Sequence, residues 1–442
     1  MVTQRDDSPQ VPEAKQGEEI RSRWSWVERA AWSDRMLEAL EKGVKGDKWF
    51  SLIDKVTSER NLWAAWARVR SNRGAAGLDR KGIGWFAQRE ERELDRLRSE
   101  LIEVRYRPLP VLRRHIPKPG TTKTRPLGIP TVRDRIAQQA VRQVIEPIFD
   151  HRFVESSFGF RRQRGSKDAL RKVQELLDAG NTWVVDADIE SYFDTIDHEL
   201  LMDEVRHEVA DGRVLKLIEG FLTQEVFESC RQWKPSRGTP QGAVISPLLA
   251  NIYLHPVDVK LSEAGHEFVR YADDLVIMCR TEAEAREALA LLEECMTSRK
   301  LRLHPEKTKL VDATAAGGFD FLGYHFERGY RWPRDKSRMA LKDRVRSLTP
   351  RANGHGMAFI ISRLNRVLRG WYEYFKHGLR NVLAELDSWI RMRLRSIQRK
   401  RHKGRGRGRG LDHRRWPNAY FRKLGLFFMA EARDAELQSL RG

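Results

Sequence analysis

Acidic residues stand at two separated points of the chain where apolar runs predict strand ends. Asp188 closes a short apolar run, and the pair Asp273-Asp274 begins 85 residues later between two further apolar runs. A strand ending in an acid, beside a hairpin whose turn displays two acids, would bring three carboxylates together. Mg²⁺ prefers oxygen ligands, and two such ions about 3.5–4 Å apart clamp the attacking and leaving oxygens in nucleotidyl transfer. The pattern therefore fits two-metal chemistry, although an isolated Asp-Asp pair is more often an ordinary turn.

Hydrophobic periodicity predicts the elements that would hold these acids. Residues 182–188 have the pattern of a buried strand, and residues 268–278 have that of a β-hairpin. Four prolines and two glycines in 116–130 indicate a hairpin with loops, and Ser246-Pro247 predicts a helix N-cap followed by the first helical residue. Further helices are predicted over 22–42, 48–70, 133–149 and 166–179, and as a pair from residue 357 onward.

The charge of the chain indicates a polyanionic partner. Lys and Arg number 82 against 62 Asp and Glu, giving a formal net charge of +20. Residues 342–442 hold 25 Lys and Arg but 8 Asp and Glu, so most of this excess lies near the C-terminal end. Such a concentrated basic segment is typical of proteins that bind nucleic acids.

Cysteine usage and hydropathy exclude several protein classes. Cys230, Cys279 and Cys295 form no C-x-x-C pair, which argues against a disulfide framework or a cysteine zinc site and fits a reducing cytoplasm. No apolar run approaches the roughly 20 residues of a membrane span. Residues 1–20 are polar, lack an apolar signal core and are predicted to be a disordered lead-in.

Longer motifs surround the acids. Residues 183–198 are WVVDADIESYFDTIDH, residues 238–254 are GTPQGAVISPLLANIYL, and Tyr271-Ala-Asp-Asp274 forms the predicted turn. Together with shorter blocks, they resemble the motifs of reverse transcriptases encoded by bacterial group II introns, in the family's order. The shorter blocks lie at 116–119, 125–130, 157–160, 303–308 and 319–324. This ordered set outweighs the ordinary-turn interpretation of the acid pair.

The resemblance implies an α+β fold of the right-hand polymerase type, with fingers, a palm built on an antiparallel sheet and a helical thumb. The implied divisions are a lead-in (1–20), an N-terminal helical extension (21–90), fingers (91–180), palm (181–340), thumb or maturase domain (341–398) and basic C-terminal tail (399–442).

The resemblance also implies the metal ligands. Asp188, Asp273 and Asp274 would be the catalytic acids and would hold two Mg²⁺ ions, for which Mn²⁺ can substitute. The backbone carbonyl of Ile189 would supply a further ligand. Asp186 is the alternative acid of the first motif, two residues earlier on the same predicted strand.

Lys118, Arg125 and Gln241 would bind the incoming dNTP. A lysine and an arginine offer a point charge and a planar fork to phosphate oxygens, although a solvated basic hairpin is the plainer interpretation. Gln241 precedes a glycine, in a loop able to approach the nucleotide closely.

Phe193 lies five residues after Asp188, where the family places a bulky side chain against the sugar. A ring there would leave no room for a 2′-hydroxyl and would favour dNTPs over ribonucleotides. Five residues after Asp186, the alternative acid, stands Ser191, whose small side chain would not exclude a 2′-hydroxyl. Ordinary core packing is the other interpretation of Phe193.

Other residues would contact the primer and the RNA. Phe321, Leu322 and Gly323 resemble the primer grip, with a core strand as the alternative. Lys307 is either a proton donor to pyrophosphate or an exposed lysine. Cations on the thumb helix and in the tail would meet RNA phosphates, namely Arg363, Arg366, Arg369, Lys376, Arg405, Arg407 and Arg409.

The resemblance implies an RNA-directed DNA polymerase of the bacterial cytosol that copies a group II intron RNA and assists its splicing as a maturase. Its partners would be the intron RNA as template and splicing substrate, a DNA primer or target, and dNTPs, with no membrane. The N-terminal helices could serve either a homodimer or template binding. The alternatives are an RNA-binding splicing factor without polymerase activity and a reverse transcriptase recruited to defence or another host role. Residues 400–442 hold no Cys and two His, so no H-N-H endonuclease is expected there.

Overall fold

The computed structural model describes most of the chain, including all of the predicted palm. Lys118, Arg407 and Arg409 lie outside the described residues, as does almost all of the predicted lead-in. The described residues are 19–44, 46–117, 124–352, 354–406, 408 and 410–439.

Helices and strands are mixed up to residue 333, and the described residues beyond it contain helices only. The strands are Val111–Pro117 (β1), Thr124–Ile129 (β2), Trp183–Asp188 (β3), Val226–Glu228 (β4), Arg231–Trp233 (β5), Glu267–Tyr271 (β6), Asp274–Cys279 (β7), Lys309–Asp312 (β8), Phe319–Phe321 (β9), Tyr324–Glu327 (β10) and Tyr330–Pro333 (β11). This mixture confirms the predicted α+β class.

The helices are longest in the fingers, palm and thumb. They are Asp34–Lys42 (α1), Ile53–Val56 (α2), Glu59–Ser71 (α3), Ile83–Ala87 (α4), Glu90–Ile102 (α5), Val132–Arg152 (α6), Ser166–Asp178 (α7), Tyr192–Thr195 (α8), His198–Glu208 (α9), Gly212–Leu222 (α10), Ser246–Glu263 (α11), Glu282–Ser298 (α12), Asp335–Leu348 (α13), Met357–Phe375 (α14), Arg380–Arg401 (α15), Leu411–Arg415 (α16), Asn418–Lys423 (α17) and Met429–Ser439 (α18). None of the helices in the described part has the length and apolar composition of a membrane span.

The acids belong to a four-stranded sheet of order β6-β7-β3-β8, in which every neighbouring pair is antiparallel. Successive side chains of a strand point to opposite faces. Val185 packs into the core formed with α11 and α12, whereas Val184 packs into the core formed with β9 and β10. The alternation therefore places Asp186 and Asp188 on the Val184 face, beside the three-stranded sheet β11-β10-β9.

The fingers sheet has the order β2-β1-β4-β5 and joins the β1–β2 hairpin to the palm side through a parallel β1–β4 pair. Helix α6 is buried along most of its length, and the N-terminal helices pack against it. The side chains of Asn61 and Gln143 are hydrogen-bonded at 2.7 Å between α3 and α6. Within the predicted helix over 22–42, residues 22–23 and Asp34–Lys42 are helical, and Ser33 caps the start of the second helical stretch. The predicted helix over 48–70 is divided into α2 and α3.

A separate apolar core holds the thumb. Helices α13, α14 and α15 supply most of it, but Trp416, Phe421 and Met429 are buried in the same core. The carboxylate of Asp387 on α15 accepts hydrogen bonds from the first backbone amides of α18, Met429 N at 3.1 Å and Ala430 N at 3.0 Å. The structure therefore differs from the expected basic tail: α15 continues to residue 401, and residues 411–439 form helices because their apolar side chains complete the thumb.

We expect Phe421→Ala to lower the unfolding free energy of the thumb by about 3–5 kcal/mol, because it empties a fully buried site. Leu411→Ala is the control: its side chain is 78% exposed, so the change should stay within about 0.5 kcal/mol. Urea unfolding, together with amide hydrogen exchange of α14 and α15, would measure the loss of stability in the two variants. Equal exchange rates in the two variants would contradict a structural role for residues 411–439.

Candidate active site

Strand register brings the three predicted acids together. Asp188 is paired directly with Asp274 across the β3–β7 ladder, at the end where the strands leave the sheet. Tyr271 pairs with Asp274 in the β6–β7 hairpin, so Ala272 and Asp273 form its two-residue turn. Ala272 adopts a left-handed backbone with φ of 61°, a conformation that non-glycine residues rarely hold outside turns and functional sites.

Asp186, the alternative acid, lies two residues back from Asp188 and is paired with Val276 of β7 and Lys309 of β8. Burial, followed by repulsion from Asp274, raises the pKa of Asp186 to about 7. A carboxyl group with this pKa is only partly ionised near neutral pH, which makes Asp186 the weaker candidate for a permanently charged ligand.

Asp273 and Asp274 also resist ionisation. Desolvation, followed by repulsion from Asp273 and Asp188, raises the pKa of Asp274 to about 6. Desolvation likewise raises the pKa of Asp273, with Asp188 adding to the effect. A divalent cation between these carboxylates would relieve the repulsion, and carboxylate oxygens are the donors that Mg²⁺ prefers. The donor set therefore fits the implied ions.

Lys307 forms an ion pair with Asp188 through its ammonium group, although the lysine side chain is 59% exposed. Within the described residues, no three His, Cys, Asp or Glu side chains are already arranged around one metal position. The Ile189 carbonyl, in contrast, accepts no hydrogen bond from the described backbone. Ile189 lies opposite Leu303 in an isolated bridge, but the two hydrogen bonds of this bridge flank Ile189. The Asp188 carbonyl accepts from the His304 amide, and the Glu190 amide donates to the Arg302 carbonyl.

A buried guanidinium group lies beneath the acidic turn. Arg270 is 1% exposed and forms an ion pair with the fully buried Asp258, to which its Nε donates at 2.7 Å. The same group donates to the Ala272 carbonyl at 3.0 Å, to Asn251 Oδ1 at 3.0 Å and to Ser157 Oγ at 2.8 Å. Arg270 thus ties the turn to α11 and to the 156–160 segment.

Gly159 supports the turn from the other side. A Cβ atom at this position would lie 2.2 Å from the Ala272 amide nitrogen, so only glycine permits the approach. Asn251 also donates to the Gly159 carbonyl at 2.7 Å. The turn that carries the acids is therefore fixed by packing as well as by hydrogen bonds.

The loop predicted to contact the nucleotide connects palm and fingers. Its Thr239 amide donates to the Phe193 carbonyl at 2.7 Å, and the Gln241 carbonyl accepts from the Gly128 amide at 2.7 Å. Gly242 has φ of 108°, and a Cβ atom there would lie 2.7 Å from the Gly128 carbonyl oxygen. Phe193 and Gln241 therefore lie on neighbouring segments of one junction.

The predicted helix start at Ser246-Pro247 is displaced by one residue. Ser246 is the first residue of α11 rather than its N-cap. Its hydroxyl donates to the Pro240 carbonyl at 2.9 Å and lies 2.6 Å from Thr239 Oγ1. The serine thus holds the loop directly instead of capping the helix.

Two further nucleotide candidates differ in their surroundings. Arg125 is exposed on β2, opposite Ile116, and forms no ion pair with a described residue. Phe193 is half-buried, with its ring 5.4 Å from that of Tyr192, so one side of it packs against the core.

The candidate primer grip is a tight turn between β9 and β10. Leu322 and Gly323 have φ of 46° and 87°, whereas Phe321 is buried. The Tyr374 hydroxyl donates to the Leu322 carbonyl at 2.8 Å, and Ser337 Oγ donates to the Gly323 carbonyl at 3.0 Å. The first thumb helices therefore hold this turn in position.

The predicted RNA-contacting cations fall into two groups. Arg363, Arg366 and Arg369 are exposed on one side of α14, opposite its buried side chains. Lys376 is instead engaged with Glu436 of α18 at 2.6 Å.

Arginine side chains also hold the Gly-Arg segment against the thumb. Arg405 is exposed, while its carbonyl accepts a hydrogen bond from Arg399 Nε at 2.7 Å. Arg351 donates to the Gly406 carbonyl.

The Arg270–Asp258 pair was not among the predicted site residues. Two signals were present. Arg270 directly follows the apolar pair Phe268-Val269 in a predicted strand, and an arginine buried there requires a partner; Asn251 and Asp258 lie seven residues apart on one helix face.

Comparison with protein families identifies two matching models. Residues 116–326 match the model for reverse transcriptase (RNA-dependent DNA polymerase), and residues 338–416 match the group II intron maturase-specific domain. The first range contains all three acids, and the second contains most of the thumb.

The chain is also similar to individual proteins. Protein YkfC of Escherichia coli (strain K12) is 36% identical over 326 residues, which cover 63% of this chain and 83% of YkfC. The group II intron-encoded protein LtrA of Lactococcus lactis subsp. cremoris is 36% identical over 48% of this chain and 35% of its own length. Among solved structures, the partial Cas6-RT-Cas1–Cas2 complex is 25% identical, covers 56% of this chain and 41% of that chain, and has a TM-score of 0.36.

We expect Asp258→Ala to destabilise the protein by about 3–5 kcal/mol, because it leaves the Arg270 guanidinium group buried without its anion. Asp203→Ala is the matched control, since its ion pair with Arg206 is exposed and should contribute no more than about 1 kcal/mol. Thermal and urea unfolding would compare the two. Similar losses of stability would show that the buried pair does not support the fold.

Proposed function

The chain belongs to the family of group II intron-encoded reverse transcriptases and maturases, and on that premise we propose how its residues copy an intron RNA and assist its splicing. The predicted right-hand polymerase fold and the predicted enzyme class, an RNA-directed DNA polymerase, are confirmed. The maturase-specific domain confirms the predicted link to intron splicing.

The proposal depends most on the register that sets Asp188 opposite Asp274, with Asp273 in the adjoining turn. We assign these carboxylates and the Ile189 carbonyl to two Mg²⁺ ions, with Mn²⁺ as a substitute. When bound, such ions lower the cost of developing charge on the attacking 3′-oxygen and on the leaving pyrophosphate. Asp186 remains outside this set because it lies two residues further back along β3, opposite Val276 rather than opposite Asp274.

The surrounding residues orient the reactants. Gln241, held by the Gly128 amide, and Phe193, held through Thr239, form the wall against which the nucleotide sugar would lie. Arg125 and Lys118 would bind the triphosphate, and the Leu322-Gly323 turn would support the primer end. Positioning of this kind supplies much of the rate enhancement in phosphoryl transfer.

RNA and DNA partners follow from the charge distribution. The exposed Arg363, Arg366 and Arg369 offer a row of cations to the phosphates of the intron RNA, as does Arg405. A DNA primer or target and dNTPs complete the substrate set. These substrates place the protein in the bacterial cytosol in this proposal. We also propose that two copies of the chain can form a homodimer.

We expect Asp273→Asn/Asp274→Asn to reduce primer extension on an RNA template by about 1,000-fold or more, a loss of roughly 4 kcal/mol of transition-state stabilisation. Splicing of the intron RNA should persist, because RNA binding depends on the thumb cations. Primer extension with dNTPs and a splicing assay would measure both activities.

The matched control is Asp186→Asn, which changes an acid on the same sheet face. It should retain extension within about tenfold. Unchanged extension in the double variant would overturn the metal assignment, and loss of splicing in a folded double variant would contradict separate sites.

We expect Phe193→Ala to weaken discrimination against ribonucleotides by roughly 10- to 100-fold, because removing the ring admits the 2′-hydroxyl. Tyr192→Phe keeps the neighbouring ring and should leave sugar selectivity unchanged. Competition between dNTP and rNTP incorporation gives the ratio of kcat/KM values. An unaltered ratio for Phe193→Ala would assign this ring to core packing alone.

A further inference from the structure

A cavity of about 260 Å³ lies between the end of α5 and helix α10, away from the acids. Its walls are apolar and aromatic, with Leu101, Tyr106, Pro108 and Leu217 among them. Tyr106 is held rigidly, because it is buried and its hydroxyl donates to Asp134 at 2.7 Å. The cavity is therefore preformed.

Cations surround the opening of this cavity. Arg107, Arg213, Lys216 and Lys234 line it, with Glu219 as the one acidic lining residue. All four cations are exposed, and none forms an ion pair with a residue that the structure describes. Many exposed cations elsewhere in the chain are paired with carboxylates, so the unpaired charge at this opening suits an anionic ligand.

One continuous segment leads from the opening to the nucleotide loop. Lys234 follows the exposed Trp233, over whose ring the Arg113 guanidinium group lies at 5.4 Å. Seven residues after Lys234 comes Gln241, and a second, smaller pocket contains Arg113, Arg237 and Gln241. Basic and aromatic side chains thus continue from the cavity to the loop beside the incoming nucleotide.

We propose that the cavity binds an unstacked base of the single-stranded RNA template before that base reaches the active site. The base would enter between the apolar walls, and its flanking phosphates would lie on the four cations. Proteins recognise single-stranded RNA by this combination of base insertion and phosphate contacts. The template is the strand that remains single-stranded ahead of synthesis, and the path toward Gln241 connects it to the cavity. This inference rests on the proposed polymerase function.

Gly220 offers a direct test because it lines the cavity within α10. A Cβ atom there would meet only Pro108 Cδ, at 3.9 Å. Gly220→Phe should fill the cavity, whereas Gly220→Ala adds one methyl group and serves as the matched control. A second variant, Arg213→Ala/Lys216→Ala, removes charge without filling the space.

The probe is a DNA primer annealed to RNA templates whose 5′ single-stranded overhangs range from two to about sixteen nucleotides. Binding is measured by fluorescence anisotropy at several salt concentrations. In the wild type, the affinity of the protein for the primer–template should rise about tenfold once the overhang is long enough to reach the cavity. Gly220→Phe should lose this gain, Gly220→Ala should keep it, and an abasic residue at one overhang position should abolish it in the wild type. The charge variant should lose part of the gain and show a shallower salt dependence.

An equal gain in the wild type and Gly220→Phe would overturn the proposal. So would a change in sedimentation caused by Gly220→Phe without a change in RNA affinity, because the cavity would then serve a protein partner. Extension on the two-nucleotide overhang should be the same in all variants. Failure of the wild type to extend any primer would instead reject the polymerase function, independently of the overhang binding.

Discussion

The buried contact between Arg270 and Asp258 is the interaction on which the acidic site depends. Removing two opposite charges from water costs free energy that is recovered only when the remaining polar atoms are also bonded. Here the guanidinium group meets a carboxylate, an amide oxygen, a hydroxyl group and a backbone carbonyl. Such a group has few alternative positions, so it fixes the backbone turn above it. A hydrophobic residue in its place could fill the space but could not bind the Ala272 carbonyl.

Glycine contacts complement this charged support. Gly159 lets one loop reach the amide of the acidic turn, and Gly242 lets another reach the fingers hairpin. Both approaches join segments that are distant in sequence. The acids, the Phe193 ring and the loop that carries Gln241 are therefore positioned by one connected set of backbone contacts, with loops held against a sheet rather than left free.

Local patterns in the sequence were sufficient for the central elements. The apolar run before Asp188 and the hairpin around Asp273-Asp274 match β3, β6 and β7 closely, because alternation and turn residues are local properties. The proximity of the three acids was also predictable, because they lie at the ends of strands that were expected to be antiparallel neighbours. The N-terminal helices were less predictable, because Ser33 and tertiary packing, rather than apolar periodicity, set where α1 begins.

Other features depended on contacts that no local pattern contains. The partners of Arg270 come from segments 2 to 113 residues away, so the arginine appeared only as an unexplained charge in a strand. The C-terminal segment looked like a tail because its glycines and arginines obscured the apolar spacing that follows. Its burial depends on the apolar core that it shares with α14 and α15.

The direct pairing of Asp188 with Asp274 has a consequence for how this chain can change length. Side chains alternate between the two faces of a sheet, so adding or deleting one residue within β3 or β7 would exchange the faces beyond that point. The carboxylate of Asp188 or Asp274 would then point toward the helix-packed core, and an apolar neighbour would replace it. Insertions are thus far less tolerable between residues 183 and 188 than in surface loops, where chain length can vary without reversing any side chain.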